Sequence, residues 1–410
     1  MILNKSNSSG YKMNIRTPLL IVACLLASFP LHAAEPTNQE LFEMLKKQQA
    51  QIEELQRKLA KTEEKVVEND EKIETSVSVI EESLADSVVS KSSIGGYGEL
   101  HYNNIESGGE RAKDIDFHRF VLFFGHEFSD SIRFFSELEL EHALSGDGKP
   151  GEVELEQAYV EIDLNDDNSL KSGVFLLPVG IINETHEPPT FYGVERNPVE
   201  KNIIPATWWE AGASLNTRFS DGFSGDFAIH SGLSVPTTGD KSFLIRSGRQ
   251  KVAEANADSL AYTARLKYTA VPGLELAATY QYQSDVSQGE LGADASFFTA
   301  HAIYNTGNFG IRALYAEWNI DGIDADIIGR DKQKGYYIEP SFKFNENFGL
   351  FARYNLWDNN AGDTLDSEKK QTNFGINYWP HEDVVFKVDI ENGSGVLDND
   401  GFNLGVGYQF

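Results

Sequence analysis

From position 94 to the carboxy terminus, apolar and polar positions alternate with period two, the signature of strands with one apolar face. In the final stretch Phe402, Leu404, Val406, Tyr408 and Phe410 share one face, and Asn403, Gly405, Gly407 and Gln409 share the other. The same alternation predicts strands around residues 97–100, 117–124, 132–140, 155–162, 170–177, 211–219, 223–229 and 260–268. It continues at 274–282, 297–304, 309–318, 336–344, 348–356, 372–379, 384–390 and 402–410, about sixteen strands in all.

The connections alternate in length. Short ones read Ser129-Asp130-Ser131, Asn165-Asp166-Asp167, Asp221-Gly222, Val271-Pro272-Gly273, Thr306-Gly307, Asn345-Glu346-Asn347 and His381-Glu382-Asp383. Long ones fall near 104–114, 144–152, 178–207, 234–257, 284–295, 320–334, 358–370 and 392–400. Short periplasmic turns opposite long external loops are the plan of an outer-membrane barrel, whose closure leaves no unpaired edge. The expected fold class is therefore all-β, an antiparallel transmembrane β-barrel of about sixteen strands over 94–410, preceded by an α-helical coiled coil.

The alternation also assigns faces. If the apolar rows meet lipid, the opposite rows turn inward, because a lipid-facing charge costs several kcal/mol near the midplane. That places Arg133, Glu137, Glu139 and Glu141 inside, with Gln157, Tyr159, Glu161 and Asp163. Arg265 and Lys267, Arg353, and Lys387, Asp389 and Glu391 follow. So many charges are incompatible with an unpaired packed core, and a water-filled channel is expected.

Ahead of the strands two other patterns appear. Arg16 precedes the apolar run from Pro18 to Pro30, and Ala33-Ala34 follows. A basic flank, a short apolar core and small residues describe a cleaved signal peptide over 1–34, with Met13 an alternative start. Cys24, the one cysteine, lies within it, so disulfide and thiolate chemistry are not expected after processing. Over 35–93, Leu45, Ile52, Leu59, Val66, Ile73 and Ile80 recur every seven residues, a heptad seam. A lone amphipathic helix is the competing reading; a period held at seven favours an oligomeric periplasmic coiled coil that reaches toward peptidoglycan.

Lys+Arg 35 against Asp+Glu 63 leaves a net charge of -28, which argues against nucleic acid as a partner. That charge hints at cation passage, although exposed loops hold much of it and salt screens them. No Gly-rich phosphate loop or nucleophile elbow occurs, so neither enzyme chemistry nor a cofactor is expected. The nine histidines show no metal-ligand spacing, and no metal site is expected. His186 beside Glu184 and Glu187 reads as a surface loop cluster.

The segments Gly95-Gly96-Tyr97-Gly98-Glu99, Phe117-His118-Arg119-Phe120-Val121-Leu122, Gln157-Ala158-Tyr159-Val160 and Gly173-Val174-Phe175-Leu176-Leu177-Pro178-Val179-Gly180 resemble the phosphate-selective porin O/P family. The resemblance spans roughly 94–410. It implies a sixteen-stranded homotrimeric porin in the outer membrane of a Gram-negative bacterium, contacting lipid and lipopolysaccharide and passing small ionic solutes. It implies an anion path lined by basic residues; Arg119, Arg133, Arg218, Arg265, Lys267, Arg312 and Arg353 are the candidates here. Carboxylates dilute them, so phosphate selectivity is not carried over. In trimeric porins the third external loop narrows the pore. Here that loop, 178–207, is the longest and contains Glu184, His186, Glu187, Glu195, Arg196, Glu200 and Lys201 as candidate constriction residues. A structural tether or adhesin with a plugged barrel is the alternative to a porin.

Overall fold

The computed structural model describes residues 91–410 and, before them, only the helical residues Lys46, Gln49, Glu54 and Arg57. The chain divides into Met1–Val89 and Ser90–Phe410. The heptad seam from Leu45 to Ile80 and the predicted signal peptide lie outside the described residues.

Sixteen strands run in chain order: β1 (Ser92–Ser107), β2 (Glu110–Ser129), β3 (Ile132–Glu141), β4 (Val153–Asn165), β5 (Asn168–Leu176), β6 (Trp209–Ser220), β7 (Phe223–His230) and β8 (Ala261–Tyr268). β9 (Leu274–Gln283), β10 (Asp294–Thr306), β11 (Phe309–Asp321), β12 (Lys332–Lys343), β13 (Phe348–Asp358), β14 (Lys369–His381), β15 (Val384–Gly395) and β16 (Asn399–Gln409) complete the set. Each pairs with its sequence neighbour, and β16 pairs antiparallel with β1 to close the barrel. Gly96 and Phe410 exchange backbone hydrogen bonds of 3.0 and 2.9 Å at the seam. Closure satisfies every strand edge, the condition for crossing a bilayer with strands. Apolar side chains such as Leu122, Phe227, Leu266, Phe298, Phe374 and Leu404 stay exposed on the outer face, as a lipid-facing band requires.

Two expected long connections are short. The ladder β1–β2 continues to Ser107 opposite Glu110, leaving only Gly108 and Gly109 at the tip. β15 and β16 likewise extend to Gly395 and Asn399. Apolar alternation stops there, but backbone pairing does not need it, and Arg111 bridges Asn104 and Glu106 at 2.8 and 2.7 Å.

The interior is not uniformly wet. Leu177, Ile203, Ile204 and Trp208 from the β5–β6 connection and Phe243 and Ile245 from the β7–β8 connection pack with the inward Phe297 and Trp318. The Phe297 and Trp318 rings stack with centroids 4.6 Å apart. The apolar filling comes from the long connections themselves, which strand alternation cannot report.

Candidate functional site: an inward-folded loop and a charged cleft

The β5–β6 connection turns into the barrel and engages the wall on many sides. Thr279 donates to the Pro178 carbonyl at 2.9 Å, and Arg312 donates to the Thr190 carbonyl at 2.8 Å. Arg353 and Asn377 each donate at 3.3 Å to the carbonyls of Tyr192 and Phe191. The Val194 N–H donates to Asp389 at 2.7 Å. Lys387 sits 3.6 Å from the centre of the Phe191 ring, a cation–π contact. Arg353, Lys387 and Asp389 thus face inward but lie covered by the loop.

On β16 the inward row of small residues serves close approach. A Cβ at Gly407 would lie 2.2 Å from Pro188 Cβ, and one at Gly405 3.0 Å from Val194. Gly407→Val is expected to push residues 188–194 off the wall while leaving the barrel ladder intact. Single-channel conductance of this variant should differ measurably from the parent; identical traces would mean that this contact does not shape the opening.

His186 is not a surface residue. Its side chain is 4 % exposed, with Nε2 3.2 Å from Glu137 and 3.6 Å from Glu156. Burial alone would lower its pKa, but the hydrogen bond and charge of Glu137 lift it to about 10. The neighbours in sequence are drawn elsewhere, because chain curvature separates them: Glu184 pairs with Arg265, and the Glu187 carbonyl accepts from Thr190. Glu195 accepts from His101 at 3.0 Å and Asn103 at 2.9 Å. Burial would raise Glu195, but the bond and charge of His101 hold it well below the usual carboxylate range.

β-Bulges re-aim two inward residues. The register shift at Glu99/Leu100 leaves His118 without a partner, so His118 and Arg119 follow one another between the outer residues Phe117 and Phe120. Arg119 then meets Glu99 at 2.8 Å and Glu139 at 3.5 Å. A second shift, at Glu137/Leu138, leaves Glu156 unpaired in register and buried beside His186.

Between the loop and β1–β4 lies a cleft of about 710 Å³, open mouth included. Its lining holds Arg119, Arg196, Lys201, Arg246, Arg249 and Lys251 facing Glu99, Glu139, Glu141, Glu154, Glu156 and Glu195. The acids are largely committed, to Arg119, His101, His186 and Lys251. Several bases are not. Arg196 donates to Thr207 Oγ1, Arg246 to the carbonyls of Lys201 and Ala206, and Arg249 to the Thr207 carbonyl. Among the described residues, no carboxylate lies within 4.0 Å of Arg196, Lys201, Arg246 or Arg249. Burial, then the charges of Arg249, Arg196 and Arg119, pull the Arg246 pKa down to about 9.

The remaining predicted residues stand apart from this cleft. Arg133 forms a fork with Asp163 at 2.7 Å and reaches Glu161 at 3.0 Å. Arg218 lies at the turn end of β6, 4.0 Å from Asp167. Lys267 stands on β8 opposite Ser224. Sequence reasoning missed Arg246, Arg249 and Lys251, as well as His101 and His118. A signal existed: Arg246-Ser247-Gly248-Arg249-Gln250-Lys251 is a basic run in a strongly acidic chain. The three-residue step from Phe117 to Phe120 also marks the bulge.

Residues 96–392 match the family described as phosphate-selective porin O and P. A protein of Aquifex aeolicus (strain VF5), described as uncharacterized, is 31 % identical over 351 residues, covering 78 % of this chain and 80 % of the relative. The fold is similar to an anion-selective porin from Comamonas acidovorans, with TM-score 0.56 and 14 % identity over 78 % of this chain and 100 % of that one. It is also similar to Salmonella typhi OmpF in complex with daunomycin, with TM-score 0.57 and 14 % identity over 78 % and 97 %.

Proposed function

The chain belongs to the phosphate-selective porin O and P family, and from that premise we propose that it is an outer-membrane porin passing small anions by passive diffusion. The observation that carries the anion preference is the set of four cleft cations without a carboxylate partner, Arg196, Lys201, Arg246 and Arg249. A path lined by uncompensated charge concentrates counter-ions and excludes co-ions, whatever the net charge of distant loops. The acidic total therefore does not set selectivity: the lining acids are largely paired, whereas Arg246 and Arg249 donate to backbone carbonyls and Arg196 to the Thr207 hydroxyl, partners that leave their charge uncompensated.

Residues 178–207 act as the constriction, closing the β7–β12 side with apolar packing and leaving the β1–β4 side open. Residues 1–34 act as a cleaved signal peptide, 35–93 as a periplasmic coiled coil, and the working form is a homotrimer in lipid and lipopolysaccharide. No covalent chemistry is assigned to it. The test is the reversal potential of the purified protein in a planar bilayer under a KCl gradient. An anion-selective current is expected. Cation selectivity would overturn the assigned preference, and absence of any current would favour the tether with a plugged barrel.

A further inference from the structure

We propose that Asp116, His118 and His142, at the external end of β2 and β3, form a binding site for a divalent transition-metal ion, with Zn²⁺ as its probe. Asp116 and His118 stand on β2, and His142 is the first residue after β3. The bulge that pairs Arg119 with Glu99 and Phe117 with Leu100 frees His118 from the register. Two residues apart, Asp116 and His118 share a face of a strand; without the extra residue both would point outward with Phe120, and the bulge turns them inward toward one point while Ile115 takes the outer face.

The geometry is close to that of a ligand set. His142 Nδ1 lies 2.7 Å from Asp116 Oδ1, and His118 Nδ1 lies 3.1 Å from Asp116 Oδ2. One ligand atom from each residue falls within 4.8 Å of the others. Tetrahedral zinc with bonds of about 2.0–2.2 Å holds its ligand atoms roughly 3.3 Å apart, so small side-chain rotations complete the set. Two imidazoles and one carboxylate suit zinc, nickel or copper, whereas magnesium and calcium prefer all-oxygen sites. An ion bound by three protein ligands keeps a position for water or a passing anion.

Accessibility and support separate this cluster from the buried triad of Glu137, Glu156 and His186. The side chains of His118, Asp116 and His142 are 26 %, 24 % and 27 % exposed, so an ion from solution can reach them. Those of the buried triad are 4 % exposed or less, and there His186 Nε2 is already committed to Glu137. His118 is held from behind by its stack on His101, centroids 4.7 Å apart, and His101 is fixed by Glu99 and Glu195. His142 is set by a hydrogen bond from its N–H to the His118 carbonyl at 3.0 Å. Neighbours that hold ligand rings in place are the usual companions of a metal site.

Calorimetric titration of ZnCl₂ into the purified protein in detergent tests the site without relying on conduction. One zinc per chain is expected, undisturbed by excess Mg²⁺. His142→Ala, in the connection after β3, and Asp116→Asn should each weaken binding by about 10–100-fold, the loss typical even of a residue that only supports a ligand. Heat-modifiable gel mobility reports that the barrel is intact. His126→Ala, at the turn end of β2, should bind as the parent does. Zinc heat that is absent in the parent, unchanged in His142→Ala and Asp116→Asn, or displaced by Mg²⁺ would overturn the site; the last would identify exposed acidic loops as the binder.

Discussion

Replacing Glu200 with alanine should release the constriction loop and raise single-channel conductance more than any other single change in the chain. Glu200 is 1 % exposed and ties three segments together. Oε2 accepts from the N–H groups of Ile181 and Ile182 at 2.8 and 2.7 Å. Oε1 accepts from the Tyr337 hydroxyl of β12 at 2.8 Å and from Asn197 at 3.2 Å. The left-handed turn at Gly180, φ +66°, precedes these N–H groups, and a Cβ there would lie 2.5 Å from the carboxylate. Alanine removes the acceptor from two backbone donors and a hydroxyl, each costing about 1–3 kcal/mol if left buried and unpaired. The loop can escape that cost by undocking, while the ladder of sixteen strands keeps its own hydrogen bonds. Trypsin cleavage at Arg196 or Lys201 should therefore appear together with the larger conductance. Glu200→Gln, which retains one acceptor oxygen, should fall between. A variant that stays protected from trypsin and conducts like the parent would show that the loop is held by its apolar packing instead.

The double substitution Arg246→Glu with Arg249→Glu should reverse the sign of the reversal potential. Four cleft cations without carboxylate partners would become two cations and two carboxylates beside Glu154 and Glu156. Neither arginine serves a carboxylate in the parent, so no buried acid is orphaned and the barrel should assemble normally. In the parent protein the anion preference should also decline in the alkaline range, where Lys201 loses its proton, because burial and then the charges of Arg246, Arg119 and Arg196 have lowered its affinity for it. The sign follows directly: deprotonation removes positive charge from the path. Reversal potentials measured from neutral pH upward check this, and a preference that holds throughout the alkaline range would assign selectivity to the three arginines Arg196, Arg246 and Arg249.

The barrel was legible in the sequence because its information is local. A strand with lipid on one side must alternate, and the short turns Asp221-Gly222 and Thr306-Gly307 mark the reversals. Inward positions such as Glu139 and Arg353 follow from parity alone. Parity fails at a bulge: His118 and Glu156 each follow an outward apolar residue, Phe117 and Leu155, and precede an inward one, Arg119 and Gln157, so two consecutive residues between the apolar rows have no place in a period of two. The long connections carry no periodicity. Nothing local says that Arg246, 50 residues after Arg196, shares a cleft with it, or that His186 meets Glu137 rather than the adjacent Glu187.

The sequence by itself determined the barrel fold class, the strand count and the sidedness of the strands outside the bulges of β2 and β4, because lipid on one face imposes period two on every crossing segment. Only the tertiary structure decided which charges are paired and which are free. Pairing depends on where two loops without periodicity dock inside the barrel. That docking rests on contacts far apart in the chain: Glu200 with Tyr337, Pro188 against Gly407, and Asp389 with Val194.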